Sequence, residues 1–124
     1  MTVQELYESI EGDYGAAKRI MMMDKMISRI IVKLLDDGSC GKLMEAGDAM
    51  DANGMFEAAH AMKGVCANLG LLKLSAAAGE ICEEFRPGRE RSMSDGQVAE
   101  HLENVRALYE KTLEGIRQFQ AEQA

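Results

Sequence analysis

The fold is decided by residues 55–70, which read MFEAAHAMKGVCANLG. On an α-helix, where successive side chains turn by about 100°, five apolar residues of this stretch fall within roughly 80° of one another. These residues are Met55, Ala59, Met62, Cys66 and Leu69. Gly70 follows them, and glycine readily adopts the left-handed conformation that ends a helix. The stretch therefore predicts an amphipathic helix over about 55–69 that buries one face against other helices.

Helical periodicity continues on both sides of this stretch. The pattern predicts a lead-in helix over about 1–12, a helical stretch over 13–37 that Asp24 could interrupt, and helices over about 39–50, 73–85 and 95–121. The stretch over 13–37 carries an apolar stripe that comprises Ile20, Met23, Ile27, Ile30 and Leu34. Four substantial amphipathic helices with short connections favour an all-α fold, an antiparallel four-helix bundle with one or two short additional N-terminal helices. We expect a single domain over 1–124, with its core at about 15–121.

Composition narrows the class of protein. The 124 residues are 47% hydrophobic, 28% charged and 5% aromatic, a profile typical of a globular helical chain. The net charge of −7 argues against a nucleic-acid ligand, which requires a basic surface, and against an anionic membrane. No apolar run approaches the roughly 20 residues that span a bilayer, and the N-terminus lacks the layout of a signal peptide. We therefore expect a cytoplasmic protein with no nucleic-acid or membrane partner.

The cysteines and methionines are predicted to pack in the core and not to form a metal-binding or partner-binding site. Cys40, Cys66 and Cys82 are odd in number and form no CxxC pair, so we expect buried free thiols and no metal site. The run Met21–Met23 could form an adaptable binding surface, since methionine packs against varied partners, but core filling is the favoured interpretation. The polar loop over 86–94 carries three arginines, which we expect to be solvated.

One histidine departs from the packing pattern. His60 lies about 140° from the centre of the apolar strip and is predicted to face solvent. Its neighbours one and two turns on are Gly64 and Ala67, which are too small to cover an imidazole ring. Glycine inside a helix costs roughly 1 kcal/mol relative to alanine, so a helix that only packs has little reason to carry Gly64 on a solvent face.

Lys63 adds a cation three residues after His60. Histidine is largely neutral at cell pH and keeps a ring lone pair, which makes it a suitable nucleophile for phosphorus. A phosphoryl group spreads negative charge over its oxygens, and a nearby ammonium stabilises that charge. An exposed histidine beside a lysine is common and usually has no function. The combination with Gly64 and small following residues is what indicates a site.

The run His60-Ala61-Met62-Lys63-Gly64, followed by Asn68-Leu69-Gly70, resembles the signature of histidine-containing phosphotransfer (HPt) domains. That signature is His, any residue, an aliphatic residue, Lys and Gly, with Leu-Gly or similar about a turn and a half later. Met62 replaces the more usual leucine, and Lys73 stands where many members carry a second basic residue. The resemblance is specific over residues 59–70 and covers the chain from about residue 15 onward.

The resemblance implies a phosphorelay intermediate. His60 would accept a phosphoryl group on Nε2 from a phospho-aspartate of a receiver domain, Lys63 would stabilise phosphoryl charge, and Gly64 would give access. The partners implied are a response-regulator receiver domain, a histidine kinase, or both. The chain itself would bind no cofactor, because the receiver brings the magnesium ion. We expect a monomer that docks its partner through the surface around His60, which helical geometry places at Phe56, Ala67 and Leu71 and to which the resemblance adds Lys73.

Two alternatives remain open. The chain could be the phosphoacceptor domain of a larger chemotaxis-type or hybrid histidine kinase, labelled by an ATP-binding domain of the same polypeptide. It contains no Gly-rich nucleotide loop, so a self-sufficient kinase is not indicated. It could also be a passive helical adaptor with a vestigial motif, although such a scaffold needs neither Lys63 nor Gly64.

Overall fold

The computed structural model describes residues 1–123, which form α-helices and one 3₁₀ segment with no strand among them. The elements are α1 (Val3–Ser9), α2 (Tyr14–Met21), α3 (Asp24–Ile31), a 3₁₀ segment (Val32–Asp36), α4 (Ser39–Asp48), α5 (Ala52–Asn68), α6 (Leu72–Glu84) and α7 (Asp95–Gln123). The predicted all-α class is confirmed. None of the helices in this part of the chain has the length and apolarity needed to cross a membrane.

Helices α4 to α7 form a four-helix bundle. Each helix packs against the next one in the chain, and α7 returns to pack against α4. The connections from α4 to α5 and from α5 to α6 are short, so these neighbours run antiparallel, as predicted. The buried apolar side chains of all four helices join those of α1 and α3 in one core. The α5–α6 contact is the most extensive in the molecule, and it carries the candidate site described below.

The N-terminal part is more divided than predicted. The stretch over 13–37 forms α2, α3 and the 3₁₀ segment, which makes three short N-terminal α-helices together with α1. The chain turns at Met22, whose φ of 69° ends α2, and Asp24 then begins α3. The expected break near Asp24 is confirmed. Because the chain turns there, the apolar positions of α2 no longer line up with those of α3, and the predicted stripe is interrupted.

The turn also exposes side chains that were expected inside. Ile27 and Leu34 are buried, whereas Ile20 and Met23 are 54% and 56% exposed. Met22 is 75% exposed, so core filling was the wrong interpretation for Met22 and Met23. These side chains are exposed because the backbone at Met22 is left-handed and turns the chain there. No glycine or proline occurs at this turn to indicate it in the sequence.

The helix ends follow short-range capping rules. Helix α5 begins three residues earlier than predicted because the Asp51 side chain accepts a hydrogen bond from the Gly54 N–H at 3.0 Å. Ser39 is the first residue of α4, and its N–H and hydroxyl both donate to Asp37. Ser94 caps α7, accepting from the Gln97 N–H at 3.1 Å. These caps set the helix boundaries to within a few residues of the predicted ones.

The C-terminus of α5 ends in a Schellman motif built on Gly70. The Leu71 N–H donates to the Cys66 carbonyl at 2.9 Å, and the Gly70 N–H donates to the Ala67 carbonyl at 3.1 Å. Gly70 has a φ of 73°, the left-handed conformation predicted for it. These two bonds satisfy carbonyls that the end of the helix would otherwise leave unpaired.

The same end of α5 is anchored to the N-terminal helices. The hydroxyl of the fully buried Tyr7 donates to the Leu69 carbonyl at 2.6 Å. The Asp13 N–H donates to the Gly70 carbonyl at 2.8 Å. Helix α5 is therefore fixed at its C-terminal end by contacts that reach across more than 50 residues of sequence, and this fixes the rotation of its exposed face.

The loop between α6 and α7 is organised by a buried carboxylate. Glu84 is 1% exposed and accepts hydrogen bonds from the Ser92 N–H at 2.9 Å, the Ser92 hydroxyl at 2.8 Å and the Met93 N–H at 2.8 Å. The bond from the Met93 N–H, reinforced by the Ser92 donors, holds the pKa of the Glu84 carboxyl below its ordinary value of 4.5 despite burial. The ionised form therefore ties the loop to the end of α6.

Replacing Gly70 with alanine should destabilise the protein more than the same change at Gly88. Both glycines have positive φ, which costs an L-residue about 1 kcal/mol. At Gly88 a Cβ would meet nothing within 4 Å, whereas at Gly70 it would lie 2.6 Å from the Asp13 carbonyl oxygen. We expect losses in unfolding free energy of about 1 kcal/mol for Gly88→Ala and about 3 kcal/mol or more for Gly70→Ala. Urea denaturation of both variants measures this, and equal losses would contradict the described packing at Gly70.

Removing the Glu84 charge should cost stability in a pH-dependent way. Because the folded-state pKa is depressed, the carboxylate contributes its stability above pH 4.5 and loses it as the pH falls toward the lower folded-state value. We expect Glu84→Gln to lower the unfolding free energy by about 2 kcal/mol at neutral pH, with the gap to wild type closing in acid. Denaturant unfolding across pH measures the gap, with the exposed Glu100→Gln as control. A gap that is constant or widens in acid would refute this role.

Candidate functional site

His60 lies on the exposed face of α5. All members of the predicted apolar strip are buried, namely Met55, Ala59, Met62, Cys66 and Leu69. The helix therefore has the rotation that its sequence predicts, and the imidazole is turned away from the core.

Two contacts hold the His60 ring. The ring stacks on Phe56, one turn earlier in α5, with 5.8 Å between ring centroids and 19° between planes. Its Nδ1 atom lies 3.9 Å from Sγ of Cys82, which reaches across from α6. No other hydrogen-bonding contact of the ring occurs in residues 1–123, which leaves Nε2 without a partner there. The ring is thus oriented by two side chains while one nitrogen stays available.

Gly64 leaves open space beside this ring. A Cβ placed on Gly64 would meet no atom within 4 Å, so the absence of a side chain serves no packing contact. The residue also has ordinary helical backbone, so no left-handed conformation requires glycine here. Neither a packing contact nor the backbone conformation requires a glycine at position 64.

The side chain of Lys63 lies across helix α6. A Cβ on Gly79 would contact Cδ and Cε of Lys63 at 3.6 and 3.7 Å, so the lysine stem passes directly over this glycine. The Lys63 backbone is held as well, since its carbonyl accepts a hydrogen bond from the Ser75 hydroxyl at 3.0 Å. Within residues 1–123 the ammonium forms no salt bridge, so its charge is not neutralised by a paired carboxylate.

A second cation lies near the His60 and Phe56 pair. The Arg86 guanidinium is 5.6 Å from the Phe56 ring centroid and donates to the Glu83 carboxylate at 2.8 to 3.2 Å. Arg86 holds the pKa of the Glu83 carboxyl below its usual range. Sequence analysis assigned Arg86 to a solvated loop, and only the folded chain brings it to α5. The Glu83–Arg86 spacing was the one available signal, and it indicated only a surface ion pair.

The predicted docking residues fall in different places. Phe56 and Ala67 are half-buried on the side of α5 that carries His60. Leu71 is 2% exposed and belongs to the core, so its assignment to a docking surface is corrected. Helical extrapolation failed there because α5 ends at Asn68 and the chain turns inward at Gly70. Lys73 is exposed and pairs with Glu11 at 3.2 Å, at the end of the bundle where α1 lies.

Sequence reasoning missed an apolar surface formed by α2 and α3. Ile20, Met22, Met23 and Met26 are all exposed, and a groove beside them is lined by residues that include Val65 and Asn68 of α5. The Met21–Met23 run was the signal for this surface. The alternative interpretation of that run, an adaptable surface, agrees with the exposure of Met22 and Met23.

Comparison with known proteins identifies one family. Residues 20–118 match the sequence model of a family described as Hpt domain. The match confirms the resemblance carried by the His60 motif and covers most of the chain. No curated protein and no solved structure matches the chain.

Proposed function

The chain belongs to the Hpt domain family, and on this premise we propose that it carries a phosphoryl group on His60 between proteins of a phosphorelay. Hpt domains act in histidine phosphotransfer, and His60 is the histidine of the family motif. The observation that carries the proposal is the His60 imidazole itself, which is exposed, oriented by Phe56 and Cys82, and free at Nε2. A histidine that only packs would have no need of this arrangement.

The proposed reaction is a phosphoryl transfer between oxygen and nitrogen. The Nε2 lone pair of His60 attacks the phosphorus of an aspartyl phosphate on a receiver domain. The N–P bond forms as the P–O bond to the aspartate breaks, and the aspartate leaves as a carboxylate. The reverse step, with a second receiver, returns the phosphoryl group to an aspartate oxygen. We expect the receiver to supply the magnesium ion that balances phosphate charge, and this chain to bind no cofactor of its own.

Lys63 is proposed to stabilise the charge of the phosphoryl group. It lies one turn from His60 on α5, and its flexible stem allows the ammonium to follow the phosphoryl oxygens during transfer. Its lack of a carboxylate partner within residues 1–123 leaves the charge available. Arg86 adds positive charge near the Phe56 ring, although Glu83 offsets part of it. We propose Arg86 as a secondary contributor that the sequence did not reveal.

We propose that the receiver docks on the face of α5 around His60. Phe56 and Ala67 lie on this face, and the exposed apolar side chains of α2 and α3 border the groove beside its C-terminal half. Lys73, ion-paired at the end of the bundle, is the weakest member of the proposed surface. The role proposed here is that of a cytoplasmic monomer, because receivers and the ATP-dependent kinases that charge them act in that compartment.

Phosphoryl transfer from a phosphorylated receiver should label wild-type protein and fail to label His60→Gln. The glutamine variant keeps a polar side chain on an exposed face but has no nucleophilic ring nitrogen, so it should fold normally. The label should be acid-labile and alkali-stable, as expected for phosphohistidine. His101→Gln is the matched control, because His101 is the other histidine of the chain and pairs with Glu80 on a different face.

The controls separate the possible roles. The assignment of His60 would be refuted if His60→Gln were still labelled. It would also be refuted if His101→Gln lost its labelling while His60→Gln kept it. Failure of every receiver tested and of an ATP-charged kinase domain to label wild type would favour the passive adaptor.

Gly64→Leu should fold with at least wild-type stability yet accept phosphate more slowly, by about tenfold or more. Leucine is a better helix former than glycine, and a Cβ at position 64 meets no atom within 4 Å, but the leucine side chain would occupy the approach to His60. Single-turnover labelling with a phosphorylated receiver measures the rate. Gly41→Leu is the control, since Gly41 is another helical glycine with open space around it, on α4. Equal rates for Gly64→Leu and Gly41→Leu would contradict the access role of Gly64.

A further inference from the structure

The contact between His60 and Cys82 does more than orient the imidazole, because it also distinguishes the two ring nitrogens. Cys82 lies on α6, is 0% exposed, and places its Sγ 3.9 Å from Nδ1 of His60. Nε2 has no comparable partner in residues 1–123. The two ring nitrogens therefore lie in different environments, one against a buried sulfur and one open.

This difference bears on the tautomer of the ring. A neutral imidazole carries one proton, on either Nδ1 or Nε2, and only the nitrogen without the proton has a lone pair that can attack phosphorus. An unconstrained histidine side chain favours the Nε2–H tautomer, in which Nε2 cannot act as a nucleophile. Surroundings that stabilise a proton on Nδ1 raise the fraction of His60 whose Nε2 lone pair can react.

We propose that Cys82 is a positioning residue whose thiol sulfur accepts a hydrogen bond from the Nδ1–H of His60 and so keeps the Nε2 lone pair free. A thiol sulfur is a weak acceptor, and 3.9 Å is within the range of a bond to sulfur. Stacking on Phe56 restricts rotation of the imidazole and keeps Nδ1 directed at α6. The importance of the tautomer rests on the proposed function, but the tautomer itself is measurable without any partner.

The contact also explains why α6 carries a cysteine at this place. Cys66 is a comparably buried thiol on α5, inside the apolar strip and without a histidine contact. Cys82 is equally buried, but its sulfur also reaches a ring nitrogen of an exposed residue. The pair Cys82 and Cys66 therefore offers a site variant and a matched core variant, each of which removes one buried sulfur.

The tautomer is measured by ¹⁵N NMR of the His60 ring in the full chain, at a pH alkaline enough to deprotonate imidazoles. Wild type should show predominantly the Nδ1–H form. Cys82→Ala should shift the tautomer ratio toward Nε2–H by about fivefold, the effect of losing one modest hydrogen bond. Cys82→Ser keeps an acceptor atom and should retain most of the wild-type ratio, whereas Cys66→Ala should not change the ratio.

The rate of labelling by a phosphorylated receiver should follow the fraction of the Nδ1–H tautomer in the same four proteins. Predominance of Nε2–H in wild type would overturn the proposal, since the thiol would then be donating to Nδ1. An unchanged ratio in Cys82→Ala, or an equal change in Cys66→Ala, would also overturn it. If wild type is never labelled while the ratios behave as expected, the proposed function fails and the tautomer control by Cys82 stands.

Discussion

The packing of α5 against α6 is the constraint on which the candidate site depends. One face of α5 buries an uninterrupted apolar strip, and this burial determines which residues remain outside. His60 is outside because Met62 and Ala59 are inside. The same contact brings the stem of Lys63 over Gly79 and the sulfur of Cys82 to the imidazole. A rotation of α5 about its axis would change all of these positions together.

The rotation of α5 is itself secured from a distance. The Schellman motif at Gly70, the Tyr7 hydroxyl and the Asp13 N–H all hold the last turn of the helix. The short N-terminal helices therefore do more than cover the core, because they fix the C-terminal end of the helix that carries His60. At the C-terminal end of α6, the buried Glu84 carboxylate orders the loop that begins with Arg86.

Two positively charged side chains lie at the candidate site, although the chain as a whole is acidic. The protein carries a net charge of −7, yet Lys63 and Arg86 both lie near the His60 and Phe56 stack. Glu83 moderates this local positive charge through its bond to Arg86. Within residues 1–123 Lys63 forms no salt bridge, so in the proposed transfer its ammonium would supply most of the positive charge that a phosphoryl group meets. The acidic remainder of the surface disfavours nonspecific binding of nucleic acid.

The sequence by itself determined the helical class, the four-helix bundle and the outward direction of His60, because these follow from the 3.6-residue period of α5 and its neighbours. It also placed Lys63 and Gly64 beside the histidine, since both lie within one turn. Only the tertiary structure decided the contacts of Cys82 and Arg86 with the site, the exposure of Met22 and the burial of Leu71. Periodicity describes one helix at a time, whereas these features depend on how separate helices meet and on a left-handed turn that the sequence does not announce.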